Sequence, residues 1–287
     1  MPSLAGEAGV GARYDPASEK SFAALDSRIL SFHQDGESQV KMLVVLRSVV
    51  DAEDELPILN GQLDEDQAQF TTNEFDEYAL EEALRLKETA GATIVAAALA
   101  SAGNRILHTA LARGAARAVR IESEAPVVGG SFALSAAVAA LATQLEVDLV
   151  LTGVQAPDDI FGQLAPLAAA RLGWPQASGV VSVDNAEGGV VAVQELEGGR
   201  STTLAIGLPA VLGVQTSRQS PRYVSATRLK QVQSMTIETS TVATAERTAA
   251  RLVDVVRPPS ASRVQMLSED PETAATELAQ ILTAQGL

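Results

Sequence analysis

The chain has no cysteine among its 287 residues, which excludes disulfides, thiolate nucleophiles, iron–sulfur ligation and thiolate zinc sites together. Redox chemistry in such a protein needs an organic cofactor. Histidine is nearly as scarce: His33 lies in a polar lead-in and His108 in an Ala-rich helical stretch, and both are read as structural or solvated imidazoles. Basic residues number 21 against 36 acids, a net charge of −15, so phosphate backbones and anionic lipid find little attraction here and nucleic acid is not an expected partner. No stretch reaches the roughly 18 apolar residues of a membrane span, and the first residues carry acids without an apolar core. No membrane insertion and a cytoplasmic location are the expectations. Aromatics make up only 3% against 46% hydrophobic residues, a balance that favours Ala-rich helices on Val-rich strands over an all-β core.

What is present has a clear order. Residues 1–40 are rich in Gly, Ser and charge, with one short apolar stretch from Phe22 to Phe32, and read as an N-terminal extension. From Lys41 the run MLVVLRSVV has the length and continuity of a strand buried on both faces of a parallel sheet. Further strands are expected at 93–99, 116–121 and 147–153, each preceded by a helical segment, an alternation that predicts parallel pairing. The first helix begins after Asn73 as its cap, with Asp76 and Glu77 in the first turn; others are expected at 104–113, 131–145 and 160–172, the last stopped by Gly173 and Pro175. Residues 178–216 read as an antiparallel meander, followed by the apolar run from Pro209 and a short amphipathic segment at 226–232. Beyond 233 the Thr/Ser/Ala-rich chain ends in a helix-like stretch from Pro271 to Thr283. The expected division is an extension at 1–40, a nucleotide-binding α/β domain at 41–233 and a tail at 234–287 that packs on a partner surface.

In an open parallel sheet ligands lie outside the carboxyl ends of the strands, where helix N-termini offer free N–H groups. Those ends are 45–48, 98–103 and 153–159. The last is the richest: Gly153 permits close backbone approach, Gln155 and Asp158 offer polar edges, and the N–H groups near Asp159 to Gly162 offer donors for a phosphate. The alternative is an acidic turn that only caps a helix, and Asn73 is open to the same reading. No catalytic constellation accompanies these residues.

Three blocks then carry a resemblance. NEFDEYALEEALRLKE at 73–88, VDLVLTGVQAPDD at 147–159, and LPAVLGVQ at 208–215 with SPRY at 220–223 are together similar to electron transfer flavoprotein beta subunits, over about residues 41–240. The resemblance implies a Rossmann-like, doubly wound, mostly parallel α/β sheet of the adenine-nucleotide-binding type, with a small antiparallel meander and an extended C-terminal tail. It implies a heterodimer in which an alpha subunit carries most of the FAD site, while this chain binds AMP, or a second FAD in electron-bifurcating members. Electrons would pass from flavin-dependent dehydrogenases to a quinone oxidoreductase, and the chain would be an electron-carrier subunit rather than an enzyme. By the same resemblance the nucleotide contacts are Val45, Asn73, Glu74, Phe75, Asp76, Ala98, Gly153, Val154, Gln155, Ala156, Pro157, Asp158, Asp159, Gly162, Gln163 and Leu164.

The chain departs from the family pattern inside that loop. Ile160 and Gly162 stand where AMP-binding members have a third acid and Asn, Leu164 replaces Thr or Val, and the Gly-Asp-Thr of bifurcating members is absent where Asp159, Ile160 and Phe161 stand. AMP and FAD both remain open at this point. A loop of Thr216, Ser217, Arg218, Gln219 and Ser220 occupies the family's dehydrogenase-docking position, with Arg218 in place of an apolar Leu anchor; a plain solvated loop is the other reading. Two rivals of different class fit the sequence less well. An ATP pyrophosphatase needs a Gly/Ser-rich loop after the first strand, and LRSVVD has no Gly; a stress-type nucleotide-binding protein leaves the 208–215 and 220–223 blocks and the tail unaccounted for.

Overall fold

The computed structural model describes residues 39–51, 56–100, 103–123, 131–159, 161–242, 254–256 and 266–286. His33, the Phe22–Phe32 stretch, Ile160 and nearly all of the 1–40 extension lie outside them. The described chain begins with β1 (Lys41–Val45) and β2 (Ser48–Val50), then the short β3 (Ile58–Leu59), β4 (Gln62–Leu63) and β5 (Phe70–Thr72). An alternating series follows: α1 (Glu74–Ala90), β6 (Thr93–Leu99), α2 (Gly103–Arg113), β7 (Arg117–Ser123), α3 (Ser131–Leu145), β8 (Leu149–Gly153) and α4 (Leu164–Leu172). The remainder is β9 (Gln176–Ala186), β10 (Gly189–Leu196), β11 (Arg200–Gly207), β12 (Ala210–Val214), α5 (Ala226–Val232), β13 (Glu238–Val242) and α6 (Pro271–Ala284).

Nine strands form one sheet in the order β11-β10-β9-β12-β8-β1-β6-β7-β13. All neighbours from β9 to β13 pair in parallel, and β9, β10 and β11 form the antiparallel meander. The expected fold class therefore stands, with β13, inside the stretch read as tail, added as the edge strand beside β7. The apolar strands bury both faces because their period of two feeds two cores. Met42, Val44, Ile94, Ala96, Leu149 and Leu151 face α1 and α2 through Leu80, Leu84, Ile106 and Leu107. Leu43, Val45, Val95, Ala97 and Val150 face α3 and α4 through Leu134, Val138, Leu141, Leu164 and Ala168. Helices on both faces make the sheet doubly wound.

The described residues divide into two compact units, one drawn from 39–51 and 68–242 and a smaller one from 56–67, 254–256 and 266–286. Within the smaller unit β3 and β4 form a hairpin turned by Asn60 and Gly61, both at positive φ, a pairing the apolar pattern did not foretell. There too α6 is capped by Asp270, whose carboxylate accepts from the Thr273 N–H, with Pro271 at its start.

Two expectations change. The run from Met42 to Val50 is not one strand: β1 stops at Val45, and β2 turns away to pair antiparallel with β5. The cause is Arg47, whose backbone N–H leaves the ladder and donates to Asp76 Oδ2 at 2.8 Å. The helix expected at 160–172 starts only at Leu164, because the preceding residues form a tight turn in which the Gly162 N–H donates to the Asp159 carbonyl. Its end at Gly173, in the left-handed region at φ 67°, is as expected.

Candidate functional site

The strand order reverses at one place. β1 leads through α1 to β6 on one side, while β8, reached through α3, lies on its other side. The loops leaving β1 and β8 meet at this switch point, the position where open α/β sheets have their ligand crevice. The first turn of α1 meets the end of β8 and the residues after it there, through Asp76 on Gly153 and Asn73 on Gln155.

At its floor sits Arg47, which the sequence reading passed over as part of an apolar run. The residue is 8% exposed. Its Nε and Nη2 donate to the Asp76 carboxylate at 3.0 and 2.9 Å, and Nη2 also reaches the carbonyls of Gly153 and Gln155 at 3.1 and 2.9 Å. Nη1 lies 3.6 Å from Asp159 Oδ2 and, among the described residues, has no hydrogen-bond partner. Burial works against the charged guanidinium, but Asp76 most of all, with Asp159 and Asp158, outweighs it and holds the pKa above the ordinary arginine value. Asp76, fully buried, spends both oxygens inside the protein, on Arg47 and on the backbone N–H of Gly153 at 2.7 Å. One arginine and one aspartate thus tie β1, α1 and β8 together.

Asn73 occupies the N-cap position of α1 as expected, but its side chain makes no cap bond. Instead Nδ2 donates to the Gln155 carbonyl at 2.9 Å, so a residue read as a cap joins helix to loop. Gly153 is needed for close approach: a Cβ there would sit 2.4 Å from Asp76 Oδ1, 2.6 Å from Phe75 Cβ and 2.7 Å from Asp76 N. Asp159 accepts from the Ser131 hydroxyl at the start of α3, which brings a third helix to the crevice. Asp158 is exposed as a residue, yet partial shielding of its carboxyl from water pushes its pKa up, with Asp159 and Asp76 adding and Arg47 opposing.

The residues singled out from sequence thus divide. Asn73, Phe75, Asp76, Gly153, Gln155 and Asp159 converge through these contacts, and Val45 ends β1 beside Ala97, one residue before Ala98. Val45, Ala98, Ala156 and Leu164 are 0–1% exposed, so they shape the crevice rather than offer side chains to it. Glu74, Pro157, Asp158 and Gln163 are exposed, and Val154 and Gly162 are half-buried. The Asp159 and Gly162 N–H groups, expected as phosphate donors, are engaged within the loop by Ala156 and Asp159 carbonyls. The first turn of α4, at Leu164 and Ala165 ahead of Pro166, follows directly on this loop. Among the described residues, Arg47 Nη1 is the buried side-chain donor at this site left without a hydrogen bond.

The 216–220 loop leaves the same end of the sheet, since Val214 is the register partner of Gly153. Two buried glutamates of α1 hold its surroundings, and the sequence reading assigned neither. Glu82, fully buried, accepts from the Val183 N–H at 2.8 Å, from Arg85 at 3.1 Å and from the Ser217 hydroxyl at 2.6 Å. Glu81 accepts from the Arg222 backbone and guanidinium. The only sequence signal was a pair of acids on the core-facing side of an amphipathic helix. Glu82→Ala should strand the Val183 N–H and the Ser217 hydroxyl, lowering stability by about 1–3 kcal/mol. A urea melt reads the loss, and faster proteolytic nicking at 216–220 is expected with it. Arg218 is not free either: it pairs with Asp184 at 2.9 Å while half exposed.

This arrangement defines a class, the open parallel α/β proteins with a ligand crevice at the topological switch point. Comparison with known proteins narrows it. The family model for the electron transfer flavoprotein domain matches residues 60–254. An electron transfer flavoprotein subunit beta of Syntrophomonas wolfei is 29% identical over 84% of this chain and 95% of the relative. The mitochondrial subunit beta of Oryza sativa subsp. japonica is 31% identical over 81% and 95%, and the Bacillus subtilis subunit beta 27% over 86% and 98%. The chain belongs to the electron transfer flavoprotein family, on its beta-subunit side, and its role is in electron transport. Among the described residues no helix is long and apolar enough to cross a membrane.

Proposed function

We propose that the chain is the beta component of a heterodimeric electron transfer flavoprotein. It binds an adenine nucleotide, AMP or a second FAD, in the crevice between β1 and β8, and helps an alpha subunit hold FAD. The observation that carries this reading is the convergence of β1, α1 and β8 on Arg47 and Asp76, with the start of α1 drawn close against Gly153. FAD, when bound, supplies the redox chemistry; the residues of this chain bind and orient, and the chain acts as a carrier subunit rather than an enzyme. Electrons pass from flavin-dependent dehydrogenases to a quinone oxidoreductase in the cytoplasm. The nucleotide-binding domain runs from residue 41 through the edge strand β13, and the chain beyond it supplies surface for the alpha subunit.

The deciding experiment is co-expression with the alpha subunit, release of ligands by heat and chromatographic counting per heterodimer. One FAD and one AMP supports a single-flavin carrier, two FAD a two-flavin carrier, and no second nucleotide defeats the crevice as a nucleotide site. Arg218 serves the dehydrogenase contact in this reading. Since its pair with Asp184 is exposed on both sides, Arg218→Ala should change melting by no more than about 1 kcal/mol, while slowing electron transfer from the dehydrogenase at low ionic strength more than at high.

A further inference from the structure

The chain has four asparagines, at 60, 73, 104 and 185, and Asn60 alone precedes a glycine. Asn60 and Gly61 turn the β3–β4 hairpin at φ 53° and 73°, the two left-handed positions that an Asn-Gly turn fills. Asn60 is exposed, as is Leu59 before it at 60%. Each strand of the hairpin is two residues long, with Ile58 paired to Leu63 and Leu59 to Gln62, and a two-stranded hairpin by itself is marginally stable in water. A further tie holds the tip: the Gly61 carbonyl accepts from the Val255 N–H at 2.8 Å. The Asp254 carboxylate lies over the same glycine, where a Cβ would run into its Oδ1.

Asparagine before glycine reacts with its own main chain, because glycine has no side chain to shield its nitrogen from the asparagine amide. The Gly61 nitrogen, once it has given up its proton, bonds to Asn60 Cγ; the Cγ–NH2 bond breaks, and the amide nitrogen takes up a proton and leaves as ammonia. Water then opens the five-membered imide at either carbonyl and leaves an aspartyl or an isoaspartyl residue at position 60. The sum is side-chain amide plus water to carboxyl plus ammonia, with no oxidant or reductant. The closed turn opposes the first step: left-handed backbone has ψ about +47°, which sets the Gly61 nitrogen on the far side of the Cα–C bond from Cβ. We propose that Asn60 is a self-modification site gated by opening of the β3–β4 hairpin, so that its conversion to a carboxylate runs at a rate set by how often this short hairpin opens. The other asparagines precede Glu74, Arg105 and Ala186, whose side chains crowd the nitrogen that would attack. Either product adds negative charge to a tip over which Asp254 already lies, and the isoaspartyl one lengthens the main chain of the turn that holds Val255.

The test incubates the full-length protein, folded and in urea, at mildly alkaline pH and follows each asparagine by peptide mass mapping and isoaspartyl content. The folded protein should convert at Asn60 alone, and at least about tenfold more slowly than the unfolded chain, because closed turns must first open. Val255→Pro removes the N–H that the Gly61 carbonyl accepts. It should speed the folded reaction about two- to tenfold, the scale of one hydrogen bond, and leave the rate in urea unchanged. Ile58→Gly weakens the strand pair from the other side and should act in the same direction, which keeps the test open if Val255→Pro does not fold. Conversion in the folded protein as fast as in urea overturns the gate, and so do folded variants that react at the wild-type rate. No conversion in the folded protein by the time the urea sample is exhausted overturns the site. Equal conversion at Asn104 or Asn185 overturns the assignment to the turn.

Discussion

Asp76→Ala should cost about 3–5 kcal/mol of stability, the scale for breaking a buried ion pair from one side. The carboxylate is fully buried and bonds the Arg47 backbone, the Arg47 side chain and the Gly153 N–H, so its removal leaves a guanidinium under a tenth exposed with only carbonyl partners and Asp159. For a domain of this size that loss corresponds to a melting shift on the order of 10 °C. The paired change Arg47→Met with Asp76→Leu separates architecture from charge. If the cost is that of an unpaired buried charge, the double variant should recover much of the stability that Asp76→Ala loses, because well-packed apolar replacements of buried pairs are often neutral. It should not recover nucleotide binding, since the Gly153 and Gln155 carbonyls lose the donor that holds them. Thermal melting and nucleotide content of the heterodimer read the two effects apart; a double variant as unstable as the single one would show that the site needs the charges themselves.

Gly153→Ala is the second large effect expected, and it arises from shape alone. The added methyl would meet Asp76 Oδ1, Phe75 Cβ and Asp76 N at 2.4–2.7 Å; two of these belong to α1 backbone or its first side-chain atom and cannot rotate away. The helix start must move off β8, which stretches the Gly153–Asp76 bond and the Arg47 contacts at once. Overpacking of this kind costs about 1–3 kcal/mol, and nucleotide binding should fall far more than stability does. A variant that melts a few degrees lower yet keeps its full nucleotide complement would show that the close approach serves packing only.

Much of the scaffold was legible in the chain because the relevant signals are local. The strands at 93–99 and 147–153, the helix at 131–145 and the stop at Gly173 each follow from apolar runs or caps that need no distant partner. Boundaries failed where a distant group intervened. The break after Val45 depends on Asp76, 29 residues beyond Arg47, and no periodicity within MLVVLRSVV announces it. The late start of α4 depends on the turn that Gly162 closes against Asp159. Asn73 was correctly placed at the helix start, yet its side chain answers to Gln155 rather than to its own helix.

The sequence by itself determined the class of protein: no thiol chemistry, an acidic surface, an alternating α/β order with a meander, and three blocks that mark the electron transfer flavoprotein beta family. It also located the strand ends where a ligand belongs, because parallel topology dictates them. Only the tertiary structure decided how that end is built. It made Arg47 the hub, turned Asp76 from a candidate ligand contact into the anchor of that hub, and fastened the 216–220 loop to α1 through Glu82. These assignments rest on hydrogen bonds between residues 29, 77 and 135 positions apart, and the energy of a buried charge is set by what surrounds it in space, which neither composition nor local periodicity encodes.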